Sequence, residues 1–157
     1  MVITLLQVGK TNSRELVDLI FNYGKKINHY VRFEIITIPE QKFSKKMNVN
    51  TAKLREGEYI LKKIQPGSYI VLLDENGKQN TSKQFADYIQ HKMNLSVKHI
   101  VFIIGGAYGF SNKVYEIAND KLSLSKMTFS HQIVRLLFME QLYRAFSIIN
   151  GEPYHHD

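Results

Sequence analysis

A glycine-rich segment, residues 105–109, is the first place in the sequence where the backbone could approach a ligand closely. It directly follows the apolar run His99–Ile104, a pattern that predicts a strand ending in a tight turn. Glycine admits close contact with the main chain, and open α/β sheets bind ligands at the carboxyl ends of their strands. The segment departs from the G-x-G-x-x-G spacing of dinucleotide-binding domains and comes late in the chain. Taken alone, it predicts only a strand-to-helix turn.

Two histidine-containing segments offer groups for acid–base chemistry. His131 begins a predicted helix with Arg135 one turn later, and His155-His156 lies near the C-terminus. A lone histidine is more often structural or exposed than catalytic. No cysteine or carboxylate-rich motif accompanies the pair, so we expect surface histidines and no metal site. The sequence also lacks the G-x-x-x-x-G-K-[ST], H-E-x-x-H and G-x-S-x-G motifs.

The composition restricts the class of protein. Cysteine is absent, which excludes disulfides and thiolate metal sites and is typical of a reducing cytoplasm. No secretory signal precedes the first strand, and no apolar run approaches the ~20 residues needed to cross a bilayer. We therefore expect a cytoplasmic protein with no membrane segment, and the length of 157 residues predicts a single domain, 1–157.

The charge favours a polyanionic partner. The chain carries 21 Lys+Arg against 14 Asp+Glu, a net charge of +7. Such an excess attracts nucleic acid, because Lys and Arg displace counterions from phosphates. The polar stretch 40–50 carries Lys42, Lys45 and Lys46 and could contact phosphates, although a solvated surface loop is the simpler interpretation.

The hydrophobic pattern predicts strands that alternate with helices. The predicted strands are Val2–Val8, 31–38, 69–73, His99–Ile104 and 121–124. The predicted helices follow an Asn12 cap, span 54–64, follow Thr81 or Ser82, follow Ser111, and span 130–149. Residues 74–77 form a predicted turn. This order predicts an α/β fold whose mostly parallel sheet has helices on both faces.

The last predicted helix is apolar around most of its circumference. Its few polar positions indicate burial on more than one side. In a chain this small, a second subunit is the simplest source of the second side, so we expect a dimer.

Several segments carry a resemblance when they are taken in chain order. They are residues 72–74, 77–78, 81–82, 102–109, 122–132 with Arg135, 140–145 and 151–156. In this order they closely resemble the RlmH (YbeA) family of bacterial ribosomal RNA methyltransferases, a minimal branch of the SPOUT class. The resemblance covers essentially the whole chain, and its C-terminal half is the specific part.

The resemblance implies properties that the hydrophobic pattern does not show. It implies a deep trefoil knot in the C-terminal half, against the general rule that chains are unknotted. It also implies a homodimer that uses S-adenosyl-L-methionine. The implied reaction is methylation of N3 of a pseudouridine in 23S ribosomal RNA, the large-subunit RNA, on assembled ribosomes.

The resemblance also assigns site residues. The implied cofactor-binding residues are Leu73, Gly105, Leu124, Ser125, Lys126, Met127, Thr128 and Phe129. The implied catalytic residues, on the substrate side and partly from across the dimer, are His131, Arg135, Arg144, Tyr154 and His155. The identity of any proton acceptor among them stays open.

The sequence departs from the family pattern at Ser130, where many members have proline before the histidine. Serine is a good N-cap, so we expect the helix start to survive with a less rigid pocket. Two alternatives remain. A basic RNA-binding or ribosome-assembly module without catalysis explains the charge and the dimer, but not the glycine turn or the run 124–129. A nucleotide-dependent oxidoreductase lacks the expected motif order and acidic residue.

Overall fold

The computed structural model describes residues 1–40 and 48–155 and has five strands in one sheet, all paired in parallel. The strands are β1 (Val2–Val8), β2 (Arg32–Ile38), β3 (Tyr69–Gln79), β4 (His99–Ile104) and β5 (Asp120–Ser123). Their order across the sheet is β2-β1-β4-β3-β5. The β-branched and aromatic composition of β1 and β4, both buried, is typical of central parallel strands.

Helices cover both faces of the sheet. They are α1 (Arg14–Ile27), α2 (Val49–Lys63), α3 (Ser82–Asn94), α4 (Asn112–Glu116) and α5 (His131–Ile149). On one face α5 packs between α1 and α3, and the rings of Phe102 and Phe138 lie 4.8 Å apart in the core there. On the other face, Ile60 of α2 and Val114 of α4 pack against the sheet. The predicted α/β class is thereby confirmed, and the strand order is consistent with the predicted knot.

The starts of α1 and α2 differ from the predictions. Helix α1 is capped by Ser13 and not by Asn12, since the Ser13 hydroxyl accepts from the Leu16 N–H. The Asn12 backbone N–H donates to the Gln132 side chain. Helix α2 begins at Val49 after an Asn48 cap, five residues before its predicted start. The predicted basic loop residues Lys42, Lys45 and Lys46 lie outside the described residues. No helix in ranges 1–40 and 48–155 is long and apolar enough to cross a membrane.

The predicted turn at 74–77 is wrong, because β3 continues through it to Gln79. The strand shifts register between Leu73 and Lys78, and both residues pair with Leu122 of β5. The backbones of β3 and β5 lie too close at Gly77 for any side chain, since an added Cβ would lie 2.5 Å from the Leu122 carbonyl carbon. The polar residues 74–77 form the irregular part of β3, and pairing with β5 resumes at Lys78.

Helix α5 begins where it was expected to begin. The Ser130 hydroxyl accepts a hydrogen bond from the Ile133 N–H, so serine replaces proline without loss of the helix start. Contacts with α1 and α3 account for much of the apolar surface of α5, including Phe138, Leu142 and Phe146. Ile133 stays 39% exposed, and Leu137 is half-buried. An apolar strip therefore remains after the chain has folded.

A partly buried polar cluster anchors the start of β5. The Asp120 carboxylate accepts hydrogen bonds from the hydroxyls of Tyr69 (2.5 Å) and Tyr88 (2.9 Å), and Lys92 Nζ lies 3.5 Å away. Burial alone would raise the pKa of Asp120, but the two hydroxyls and the Lys92 charge outweigh it and lower the pKa. The cluster holds β5, and hence the loop that follows it, against β3 and α3.

Replacing Asp120 with asparagine is expected to lower the free energy of unfolding by about 1–2 kcal/mol at pH 7, since the carboxylate is partly exposed. The lowered pKa means that the carboxylate stabilises the fold above its unfolded pKa, near 3.8. This contribution disappears as the pH falls through the folded pKa. Urea unfolding at several pH values checks this, with the exposed Asp87→Asn as control. A constant difference between Asp120→Asn and wild type down to pH 3 would contradict it.

Candidate cofactor cleft

A cleft of about 650 Å³ opens beside the register shift of β3 and the carboxyl ends of β4 and β5. Leu73 of β3, Gly105 after β4 and the loop after β5 line it. The three segments meet because β4, β3 and β5 are neighbours in the sheet and run in parallel. Ligand sites at the carboxyl ends of strands are the rule in open α/β sheets.

The structure brings most of the predicted cofactor residues together. Those that line the cleft are Leu73, Gly105, Leu124, Ser125, Met127, Thr128 and Phe129. Lys126 is the exception, because its side chain is exposed and does not line the cleft. Their proximity is a geometric result, and their roles toward a cofactor remain predictions.

Two serines shape the loop 124–129. The Ser123 hydroxyl donates to the Ser125 carbonyl at 2.8 Å, and the Ser125 hydroxyl accepts from the Met127 N–H at 2.9 Å. Such local bonds are typical of serine turns. They hold the backbone beside the cleft and leave the Met127 side chain 75% exposed. An exposed flexible thioether at a cleft mouth is suited to contact with an apolar ligand surface.

Several residues that line the cleft were not among the predicted site residues. Asp74 accepts hydrogen bonds from the Tyr115 hydroxyl and, at 2.8 Å, from the Asn76 N–H. Burial and the bond to Asp74 raise the pKa of Tyr115 to about 12, so its hydroxyl stays protonated. Lys53 of α2 also lines the cleft. Asp74 could have been found from its place after a buried strand, whereas no local pattern marks Lys53 or Tyr115.

The residues present fit S-adenosyl-L-methionine. The cleft volume lies within the roughly 300–1,000 Å³ usual for small-molecule sites. Apolar side chains such as Leu73 and Leu124 can hold the faces of an adenine ring, and backbone groups of the glycine turn and the loop 124–129 can pair with its edge. Asp74 and Glu75 add negative charge suited to a cationic ligand.

The predicted substrate-side residues divide into separate groups. His131 lines the cleft. Arg135 does not, because its side chain is fully buried and donates to the Val8 carbonyl at 2.5 Å and the Thr11 hydroxyl at 2.9 Å. Burial lowers the pKa of Arg135. Arg135 therefore ties α5 to the end of β1, and within one chain it does not reach the cleft surface.

Arg144, Tyr154 and His155 form a third group at the far end of α5. The Arg144 guanidinium donates to Glu140 Oε1 at 2.5 and 3.0 Å, lies 3.2 Å from His155 Nδ1 and stacks 4.7 Å from the Tyr154 ring centre. The hydrogen bond to Glu140 raises the pKa of Arg144, and burial raises that of Tyr154. Both therefore stay protonated at neutral pH.

The cleft and the Arg144 group do not meet within one chain. His131 and Arg144 are 13 residues apart on α5, which corresponds to about 20 Å along a helix rising 1.5 Å per residue. One substrate base cannot contact both groups in the same chain. The predicted substrate side is thus divided between two ends of one helix.

The fold and the cleft together define a class: a parallel α/β protein whose ligand site is built from loops after three adjacent C-terminal strands. Residues 1–155 match the family model described as "Predicted SPOUT methyltransferase". The chain therefore belongs to the SPOUT methyltransferase family, as the sequence motifs predicted, and the predicted cofactor class is that of this family.

Close relatives match over nearly the full length. The chain is 53% identical over 156 residues to the "Ribosomal RNA large subunit methyltransferase H" of Christiangramia forsetii, covering 99% of each chain. It is 52% identical over 154 residues to the protein of the same name from Bacteroides thetaiotaomicron, covering 98% of each. Both relatives are thus similar in sequence and in length.

Solved structures share the fold at low sequence identity. One is the tRNA (m1G37) methyltransferase from Aquifex aeolicus, with a TM-score of 0.57 and 16% identity, covering 99% of this chain and 75% of that one. Another is a probable methyltransferase from Bordetella pertussis, with a TM-score of 0.53 and 11% identity, covering 91% and 95%. These similarities support the fold alone.

Proposed function

We propose that this protein is an S-adenosyl-L-methionine-dependent methyltransferase that acts on large-subunit ribosomal RNA. The single observation that carries the proposal is the cleft, which the family's motif segments line in a chain about half identical to its named relatives. The net charge of +7 suits an RNA substrate. The finer proposal is that the acceptor is N3 of a pseudouridine on assembled ribosomes, in the cytoplasm.

The reaction requires alignment more than acid–base catalysis. The bound cofactor supplies a methyl group on a sulfonium, which is already activated for transfer. Fixing donor and acceptor in line can lower the barrier by roughly 7–11 kcal/mol. The loop 124–129 and the glycine turn are suited to this task, because the hydrogen bonds of Ser123 and Ser125 hold the loop backbone.

Cationic side chains would assist loss of the N3 proton. The imide of a pseudouridine is a weak acid, and its anion is stabilised by nearby positive charge. Arg144, held by Glu140, is the best-oriented cation of the predicted set, and Tyr154 can donate a hydrogen bond. His131 at the cleft is the candidate closest to the cofactor, and no proton acceptor is assigned.

We propose further that the active enzyme is a homodimer. His131 and Arg144 lie about 20 Å apart within one chain. They would meet at one site if a second copy placed its Arg144 group at the first copy's cleft. The exposed Ile133 and the half-buried Leu137 on α5 provide an apolar strip for such an interface. A symmetric pairing is the commonest arrangement of homodimers and would complete two equal sites.

The test of this function is methyl transfer from labelled S-adenosyl-L-methionine to ribosomes from a strain that lacks the gene, followed by nucleoside mass spectrometry. The expected product is N3-methylpseudouridine in large-subunit RNA. Cofactor binding without label transfer would redirect the search to another RNA. Absence of both would overturn the enzyme proposal and favour a non-catalytic RNA-binding module.

The dimer proposal predicts complementation between inactive variants. His131→Ala and Arg144→Ala are each expected to lose most methyl transfer as homodimers. Coexpressed, they form mixed dimers in which one site holds both wild-type residues, so activity is expected to return to about a quarter of wild type, assuming random pairing. The measurement is label transfer by the purified mixture. No recovery from demonstrably mixed dimers would rule out a site shared between subunits.

A further inference from the structure

The glycine turn of the cleft is in contact with a carboxylate of α2, Glu56, that no sequence motif indicated. The Gly106 N–H donates to Glu56 Oε1 at 2.8 Å. An added Cβ on Gly106 would lie 2.6 Å from Glu56 Oε2, and its three nearest atoms would all belong to Glu56. The carboxylate therefore packs directly against the turn, and Glu56 does not itself line the cleft.

The position of Glu56 is fixed by tight packing of α2. At the next residue, Gly57, an added Cβ would lie 2.3 Å from Ser111 Oγ and 3.4 Å from Val114. Gly57 and Ser111 are both buried, so α2 sits directly on the segment that follows the glycine turn. One turn later, Ile60 is also buried in the core. The carboxylate therefore has little freedom to move away from Gly106.

Partial burial of Glu56 strengthens its hydrogen bond to the turn. Burial raises the pKa of Glu56, and the bond to the Gly106 N–H opposes that rise. A hydrogen bond to a charged group in a partly desolvated place is stronger than one between neutral groups. Removing the carboxylate would leave the turn N–H without this acceptor and would open space behind two consecutive glycines. Glycines have the greatest freedom to adopt other backbone conformations.

We propose that Glu56 is a positioning residue for the cofactor site: it holds the Gly105–Gly106 backbone in the shape that receives S-adenosyl-L-methionine. The inference rests on the proposed function. Glu56 acts through the turn and touches neither cofactor nor RNA. Its loss should therefore weaken cofactor binding while leaving RNA binding intact.

The first test compares Glu56→Ala and Glu56→Gln by calorimetric titration with S-adenosyl-L-methionine. Glu56→Ala is expected to raise the Kd about 10- to 100-fold, and to raise the KM for the cofactor equally while the KM for ribosomes stays constant. Glu56→Gln keeps a neutral acceptor for the Gly106 N–H, so its Kd is expected to lie between those of wild type and Glu56→Ala. The control is Glu58→Ala, an exposed carboxylate on the same helix, with no expected change.

A second test approaches the same contact from the other side. Gly106→Ala should displace the carboxylate and weaken cofactor binding, because the new methyl group would occupy its place. Since both changes remove one contact, the double variant Glu56→Ala/Gly106→Ala should bind no more weakly than the weaker single variant. Fully additive losses would overturn the proposal, as would a folded Glu56→Ala protein with wild-type affinity. If the wild-type protein itself fails to bind the cofactor, the proposed function fails instead.

Discussion

Replacing Gly77 with alanine is expected to lower the free energy of unfolding by about 3–5 kcal/mol, the range of the most disruptive single substitutions. An added Cβ would lie 2.5, 2.6 and 2.7 Å from backbone atoms of Leu122 and Lys121. Backbone atoms cannot rotate away as a side chain can, so β3 and β5 must separate. Their pairing supports the loop 124–129, and cofactor affinity should fall with stability.

Urea unfolding of the purified variant measures this effect, and Gly24→Ala is the matched control. Gly24 is inside helix α1, and an added Cβ there would make only an ordinary 3.7 Å contact with Met139. Alanine is the better helix former by about 1 kcal/mol, so this control is expected to be neutral or stabilising. Equal midpoints for the two variants would show that β3 and β5 tolerate separation at Gly77.

Replacing Gly105 with valine is expected to weaken S-adenosyl-L-methionine binding about 100-fold or more. The first added atom would lie 2.9 Å from the ring of Phe110, which is itself buried and lines the cleft. The ring must shift, and the two branched methyl groups add bulk where the turn borders the cleft. The fold should survive, because the obstructing group is a side chain, which can shift where backbone atoms cannot.

Gly105→Ala provides a graded comparison, since it adds the first atom without the branched methyl groups. Titration calorimetry should rank the Kd values as wild type, alanine and valine, while melting temperatures change much less than affinity. A well-folded valine variant with wild-type affinity would exclude Gly105 from the cofactor site.

The strands were predictable because their signals are strong and local. Val2–Val8 and His99–Ile104 have the predicted bounds, as expected for buried apolar runs. The extension of β3 was not predictable, because Asp74 and Gly77 favour turns locally, whereas the renewed pairing of Lys78 and Gln79 depends on β5, far along the chain. Similarly, Asn12 and Ser13 are both good caps, and no local signal in the sequence favours Ser13 over Asn12.

The candidate site was predictable mainly through resemblance. The motif segments led to the lining residues Leu73, Gly105 and Leu124, whereas physical patterns alone suggested little more than a turn. Glu56 and Lys53 were missed because they reach the site only through the packing of α2, which no local spacing reveals. Arg135 was assigned to the substrate side by the resemblance alone, and that role stays a prediction. Within one chain its side chain is buried and linked to β1, which no local pattern indicates.

The sheet order has a consequence for the newly made chain. Strand β1 lies between β2 and β4, and its Val2 is opposite His99, so half of its pairing awaits residues synthesised much later. The cleft also needs His131 and Val134 of α5, which packs back on α1. A ligand stabilises only the state that binds it. S-adenosyl-L-methionine is thus expected to stabilise the protein only after α5 has docked and completed the cleft.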